Sequence, residues 1–218
     1  MTLHPRLLAS PDDRVSPEIV AAARSLSAAS LHEAGGKIGA LPREIRAIHP
    51  QFRICGAALT VHSPGGDNLW LHRAIYAAAP GDVLVVHCSG QHDHGYWGDV
   101  MASAAKSRGL GGLVIDGCVR DFTTLGEIGF PIFARGLCIR GTGKDREAIG
   151  WVNAPIWVGD VVVHPGDLIF GDSDGVVVLP KADSARIVAA AGVRDADEDL
   201  ITRRIEAGET TLDIYQLE

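Results

Sequence analysis

Basic residues, cysteine pairs, aromatics and long apolar runs are all scarce in this sequence, and each scarcity excludes something. Lysine and arginine number 20 against 27 aspartates and glutamates, a formal charge of −7. Nucleic acids and anionic membranes are bound through basic surfaces, so neither is an expected partner. No apolar stretch approaches the roughly 18 residues that span a bilayer. Met1-Thr2-Leu3-His4-Pro5 has neither the charged start nor the apolar run of a signal peptide. A soluble, cytoplasmic protein is expected. Cysteine occurs only at positions 55, 88, 118 and 138, no two closer than 20 residues, which rules out CxxC metal knuckles and a dense disulfide framework. Three of these lie in or beside apolar runs and read as small buried hydrophobes.

What is present fits a globular α/β chain. Of 218 residues 46% are hydrophobic and 22% charged, which argues against disorder. The length suggests one domain with elaborations over 1–218. Ser16-Pro17 followed by Ile19, Val20, Ala23, Leu26 and Ala29 predicts a first helix that runs to Gly35-Gly36. Ile54 to Val61 reads as a buried strand, Asn68 to Ala79 as a helix stopped by Pro80-Gly81, and Val83 to Val86 as a strand. A loop over Ser89 to Gly95 leads to a helix from about Gly98 to Arg108. A strand (Leu113 to Ile115), a short helix (Phe122 to Ile128) and a strand near Ile132-Phe133 follow. After Gly150 come short strands at Val161–Val163, Leu168–Phe170 and Val176–Leu179, separated by Pro165-Gly166-Asp167 and Asp172-Ser173-Asp174-Gly175 turns. The second turn places its glycine too early for a calcium loop. A charged helix from about Lys181 to Ala207, with Gly208 as its cap, closes the chain.

Residues 92 to 121 concentrate the chemistry. Gly98-Asp99 opens a helix, whose unpaired N–H groups can hold a carboxylate or phosphate. Arg120-Asp121 follows a strand end, where open α/β sheets place ligands, and offers a carboxylate clamp beside a metal ligand.

Asp99, twenty intervening residues and then Arg120-Asp121 form a D-x20-RD pattern. With Gly98 to Gly109, Leu113 to Gly117, Gly129 to Gly136 and Gly171 to Val178, this sequence resembles the 4-hydroxy-4-methyl-2-oxoglutarate / 4-carboxy-4-hydroxy-2-oxoadipate aldolases, which share a fold with the RraA ribonuclease regulators. The resemblance runs from about Leu31 to Tyr215. It implies a phosphohistidine-domain-like α/β/β/α sandwich with a C-terminal helical arm, assembled as a homotrimer or homohexamer with sites between subunits. It implies that main-chain amides of Gly98, Asp99, Val100 and Met101 bind the pyruvyl carboxylate and that Arg120 contacts the pyruvyl oxygens. Asp121 would bind Mg²⁺ or Mn²⁺, with Asp99 acting through a water on the metal. Glu198, in Arg194-x-x-x-Glu198 of the arm over about 181–207, would complete a neighbouring subunit's site, Asp195, Asp197 and Asp199 being its neighbours in sequence.

The implied activity is cleavage of a 4-hydroxy-2-oxo acid to pyruvate, with decarboxylation of oxaloacetate through the same enolate. A Schiff-base route needs a lysine, and Lys106 lies about 10 Å along the helix from Asp99 at 1.5 Å per residue, a solvated position. His92 and His94 read as loop residues that could reach a substrate's distal carboxylate. His32-Glu33 reads as a charged helix end that could also serve a neighbour. Trp70, Tyr96 and Trp97 read as core or interface anchors. The contrasting implication of the resemblance is a non-catalytic RraA-like regulator that binds a ribonuclease; those regulators typically lack the acidic residue after the arginine.

Overall fold

The computed structural model describes residues 13–217; the Met1–Pro5 segment inspected for a signal peptide lies outside them. Helix α1 (Pro17–Ala23) starts as its cap and proline predict, with the Ser16 hydroxyl accepting the Ile19 N–H at 3.4 Å. The single first helix is corrected to two. The chain turns at Arg24–Leu26, and Ser27 caps α2 (Ala28–Ala34) by accepting the Ser30 N–H at 3.0 Å. Both helices bury apolar residues against the same core, so the apolar spacing continues through a break that only the second serine marks.

The short β1 (Arg46–Ala47), absent from the sequence reading, precedes β2 (Ile54–His62), α3 (Leu69–Ala77) and β3 (Val83–His87). Next comes β4 (Gly95–Trp97), a strand not expected between the loop ending at Gly95 and the helix from about Gly98. Tyr96 and Trp97 are fully buried there, and Gly95 and Trp97 pair with the next strand through a bulge. The expected alternation follows: α4 (Asp99–Ser107), β5 (Gly112–Val119), α5 (Phe122–Ile128) and β6 (Ile132–Leu137). The second half holds β7 (Trp151–Val152), β8 (Ile156–Val158), β9 (Val161–Val163), β10 (Leu168–Asp172), β11 (Gly175–Leu179), α6 (Ser184–Glu206) and α7 (Thr211–Tyr215). Helix α6 begins three residues later than expected, after a turn whose first residue, Lys181, donates its N–H to the Asp167 carboxylate at 3.0 Å. Gly208, at φ +100°, follows its end as the cap reading requires.

The main sheet has nine strands, ordered β1-β6-β5-β3-β2-β10-β11, with β4 beside β5 and β7 beside β2. Strands β2, β3, β5 and β6 are parallel, and β10 and β11 complete it antiparallel. The sheet curls until its ends meet. Ala40 bridges Val177, and a Cβ on Gly171 of β10 would lie 3.1 Å from the Phe133 ring of β6, although three strands separate β10 from β6 in the sheet. This mixed α/β architecture with a nearly closed, barrel-like sheet agrees with the α/β expectation; the phosphohistidine-domain-like sandwich label is not established by it.

Two cores hold the architecture. One joins Leu59, Val85, Val114 and Phe133 of the sheet to Trp70 and Leu71 of α3; the other packs Ala23, Leu31 and Ile187 of α1, α2 and α6 on Phe170 and Leu179. Each such buried aliphatic or aromatic side chain contributes about 1.5–3 kcal/mol. Of the three cysteines beside apolar runs, Cys88 is buried as expected, whereas Cys55, its thiol pushed up to about 11 by burial, and Cys138 are half-buried; Cys118 is buried as well.

Candidate active site

The site forms where β4 and β5 deliver the chain to α4 and α5. Gly98 is the cap residue of α4, with Asp99 as its first helical residue. The Asp99 carboxylate folds back to accept the Val100 N–H at 2.7 Å, and the Asp121 carboxylate accepts the Asp99 N–H at 3.2 Å. Two amides of the helix start therefore already face carboxylate oxygens, the ligand type such amides favour.

Arg120 is positioned by backbone pairing and close packing. Its N–H donates to the Trp97 carbonyl at 2.9 Å. A Cβ on Gly95 would lie 3.2 Å from the Arg120 Cβ and Cδ and 2.4 Å from the Cys138 carbonyl, so this strand approach requires glycine. The Arg120 Nε lies 3.7 Å from the Asp121 carboxylate. Asp121 has φ 65° and ψ 38°, a left-handed conformation that aspartate tolerates better than most residues. Its carbonyl accepts the Leu125 N–H at 2.9 Å, which ties this turn to α5.

These residues border a cavity of about 270 Å³ that brings together Gly98, Asp99, Val100, Met101, Arg120 and Asp121. Glu198 is not among its lining residues: it is exposed on α6 and paired with Arg194 at 2.8 Å. The loop histidines are also placed elsewhere. His92 Nδ1 lies 2.8 Å from the Asp116 carbonyl and His94 stacks obliquely near Tyr96, so Gly95 and Tyr96 of this segment line the cavity instead. His32 lies 3.0 Å from the Ile38 carbonyl and Glu33 lies 3.8 Å from Lys37, a charged helix end within this chain. Lys106 bonds the Ile128 carbonyl and does not line the cavity.

Three further lining residues were not named as site residues by the sequence reading: Asn68, His72 and Lys144. Asp67 brings them together. Its carboxylate accepts the Leu69 N–H at 2.8 Å and the Asp145 N–H at 2.6 Å, which joins the start of α3 to the loop that carries Lys144. The His72 imidazole is pushed below its usual value by burial and then by the Lys144 charge, with Asp67 opposing both. Tyr96, pushed up to about 12 by burial, acts as a neutral strut whose hydroxyl donates to the Gln91 carbonyl at 2.6 Å and accepts the Gly66 N–H at 2.8 Å. A cavity of similar size beside α1 is lined by Arg14 and Asp82, which already pair with each other at 2.6 Å.

A family model described as "RraA-like: Aldolase/RraA" matches residues 16–178. A protein of Halalkalibacterium halodurans named "Putative 4-hydroxy-4-methyl-2-oxoglutarate aldolase" is 38% identical over 165 residues, 76% of this chain and 78% of that one. The crystal structure of an uncharacterized protein from Pseudomonas syringae pv. tomato matches with a TM-score of 0.82 at 29% identity, covering 97% of this chain and 100% of its own. The RNA-processing inhibitor RraA from Thermus thermophilis matches with a TM-score of 0.63 at 28% identity, covering 70% and 91%.

Proposed function

The chain belongs to the RraA-like Aldolase/RraA family, and from that premise we propose that it is a lyase: a divalent-metal-dependent (class II) pyruvate aldolase. Its substrate is a 4-hydroxy-2-oxo acid such as 4-carboxy-4-hydroxy-2-oxoadipate or 4-hydroxy-4-methyl-2-oxoglutarate, and oxaloacetate decarboxylation is a second activity of the same site. The observation that carries this reading is the pairing of Arg120 with an acidic neighbour, Asp121, whose carboxylate lies against Asp99 at the start of α4 in the same cavity.

The residues present suit a hard divalent cation. Asp121 would hold Mg²⁺ or Mn²⁺, with Asp99 close by, and the side-chain donors are oxygens only. A Cβ on Gly98 would sit 2.3 Å from the Asp121 carboxylate, so glycine keeps that carboxylate's face open. Among the described residues no three His, Cys, Asp or Glu side chains converge as a cage. That suits an ion that keeps water and substrate oxygens in most of its positions. When bound, the cation acts as a Lewis acid toward the 2-oxo group.

The chain's own groups divide the remaining work. Cleavage removes the C4 hydroxyl proton, breaks the C3–C4 bond with its electron pair passing toward the C2 oxygen as an enolate, and returns a proton to C3. The amides from Gly98 to Met101 receive the pyruvyl carboxylate, exchanging one carboxylate for another. Arg120 supplies fixed positive charge where the enolate oxygen develops. Asp99 holds and passes the proton at the pocket mouth, and Glu198 reaches this site from the arm of a second copy.

Pyruvate release from 4-carboxy-4-hydroxy-2-oxoadipate, coupled to lactate dehydrogenase, tests the reading. Release with Mg²⁺ and none with excess EDTA is expected. Asp121→Asn, which keeps the left-handed turn and removes the charge, should lower turnover at least about 100-fold in a folded protein. No release from this acid or from oxaloacetate by folded, Mg²⁺-supplied protein would instead favour a regulator of the kind named RraA in Thermus.

A further inference from the structure

Strands β2 and β3 both end on a histidine. In their parallel register His62 stands opposite His87, and His87 stands opposite Asp116 of β5. Both imidazoles are half-buried, and neither lines the cavity described above. The His62 ring is held from one side by Trp151, stacked on it at 3.7 Å with an interplanar angle of 6°. Its Nδ1 lies 3.3 Å from the His87 Nδ1, and the two ring centres are 5.2 Å apart.

Hydrogen bonding assigns the His62 tautomer. Ser89 donates its single hydroxyl hydrogen to the Ser63 carbonyl at 2.8 Å, so toward the His62 Nε2, 3.3 Å away, it can only accept. The His62 N–H therefore sits on Nε2, and Nδ1 presents a bare lone pair to His87. A metal-bound imidazole has the same arrangement: one nitrogen donates its N–H to an oxygen while the other points its lone pair at the ion. Burial pushes His62 down to about 4 and lowers His87 as well, so both rings are in the neutral form that ligation requires.

The two separations discriminate between a hydrogen bond and a shared ion. Hydrogen bonds from N–H groups run about 2.7–3.2 Å, shorter than this contact. A straight N–H···N bond of this length would hold the ring centres about 5.6 Å apart, further than they are. Rings whose Nδ1 axes meet at a common point and satisfy both separations place that point about 2.0 Å from each nitrogen, at an angle of about 110°. Those are the bond length and the tetrahedral angle of zinc held by histidine.

We propose that His62 Nδ1 and His87 Nδ1 bind one tetrahedral Zn²⁺ at the ends of β2 and β3, a nitrogen site separate from the oxygen site at Asp121. Binding moves the His87 hydrogen from Nδ1 to Nε2. Among the described residues no third His, Cys, Asp or Glu converges there, so water takes the two remaining positions. Imidazole suits Zn²⁺, whereas Mg²⁺ keeps to oxygen donors. The site stands independently of the aldolase reading, because it shares no residue with that cavity.

Calorimetric titration of the whole chain with Zn²⁺ in excess Mg²⁺ tests it, with the absorption of bound Co²⁺ as a second readout. Wild type and Asp121→Asn should each take up one Zn²⁺ with a Kd below about 100 µM. Bound Co²⁺ should show the intense visible bands of a tetrahedral ion. His62→Phe, which keeps a ring against Trp151, and His87→Gln should each weaken uptake at least about 10-fold. The His92 Nδ1 already faces the Asp116 carbonyl at 2.8 Å, so His92→Gln should change uptake by less than about threefold. No uptake by wild type, unchanged uptake in His62→Phe or His87→Gln, an equal loss in His92→Gln, or a six-coordinate Co²⁺ spectrum would overturn the site.

Discussion

Asp121 and Gly98 work as a pair at the residue scale. Asp121 occupies a left-handed conformation that costs most L-residues about 1–2 kcal/mol, and the missing Gly98 side chain leaves room for its carboxylate. Both were legible in the sequence as chemistry, because aspartate after arginine and glycine before a helix are informative without coordinates; neither φ value nor clearance was. His62 and His87 are a case the sequence did not mark. Their Nδ1 atoms lie 3.3 Å apart at the ends of β2 and β3, His62 stacks on Trp151, and the adjacent register position is Asp116. Burial, then the charge of His87, pushes His62 down to about 4 from 6.5. The unfolded chain therefore binds a proton below about pH 6.5 that the folded chain does not take up until about pH 4. This contribution to stability is present above pH 6.5 and is lost as pH falls through that window. The Tm should decline from pH 7 to pH 4, and His62→Gln should show a shallower decline in the same scan. Equal slopes would mean that other groups govern acid sensitivity.

Capping decides at the scale of the element. The first helical stretch divides at Ser27, whose hydroxyl accepts the Ser30 N–H at 3.0 Å while Ser30 bonds Asp195 of α6. Apolar spacing was blind to this, since the core that receives α1 and α2 is continuous. Ser27→Ala should cost about 1 kcal/mol, read as a lower urea midpoint at unchanged m-value; no shift in midpoint would show that α2 starts without its cap. Strand β4 was hidden for a different reason. Three residues are too few to show a period of two, and its pairing partner β5 lies beyond a whole helix. Helix α6 changes character along its length. Ser184, Ile187, Val188 and Ala191 are buried, whereas from Gly192 onward no residue is, and Val193, Leu200 and Ile205 are exposed.

That exposed half of α6 matters at the scale of the whole molecule. Glu198 does not line the cavity of its own chain, and exposed apolar residues beside it suit contact with another chain. The proposal that a second copy provides Glu198 has a sharp consequence. Arg120→Ala and Glu198→Ala proteins, each expected to be crippled alone, should regain a measurable fraction of activity when unfolded and refolded together, because hybrid assemblies hold some sites with both residues. No recovery, or a fully active Glu198→Ala protein, would remove Glu198 from the site. Closure of the sheet acts on the same scale. Loop pairing at the cavity does too: the loop at Gly143 bridges Asp67 and the Gly95 N–H donates to the Arg140 carbonyl at 2.8 Å, so the cavity takes its walls from four separate stretches of chain.

The sequence by itself determined the α/β alternation, the glycine and proline punctuation, and the group from Gly98 to Asp121. Those features are local: a helix start and a strand end advertise themselves through capping residues, β-branched runs and a short spacing. The nearly closed barrel, the β4 strand, and the meeting of Asn68, His72 and Lys144 with Arg120 were decided only by tertiary structure. They depend on hydrogen bonds and packing between residues far apart in the chain, and no periodicity in one segment records which distant segment will satisfy its buried polar groups.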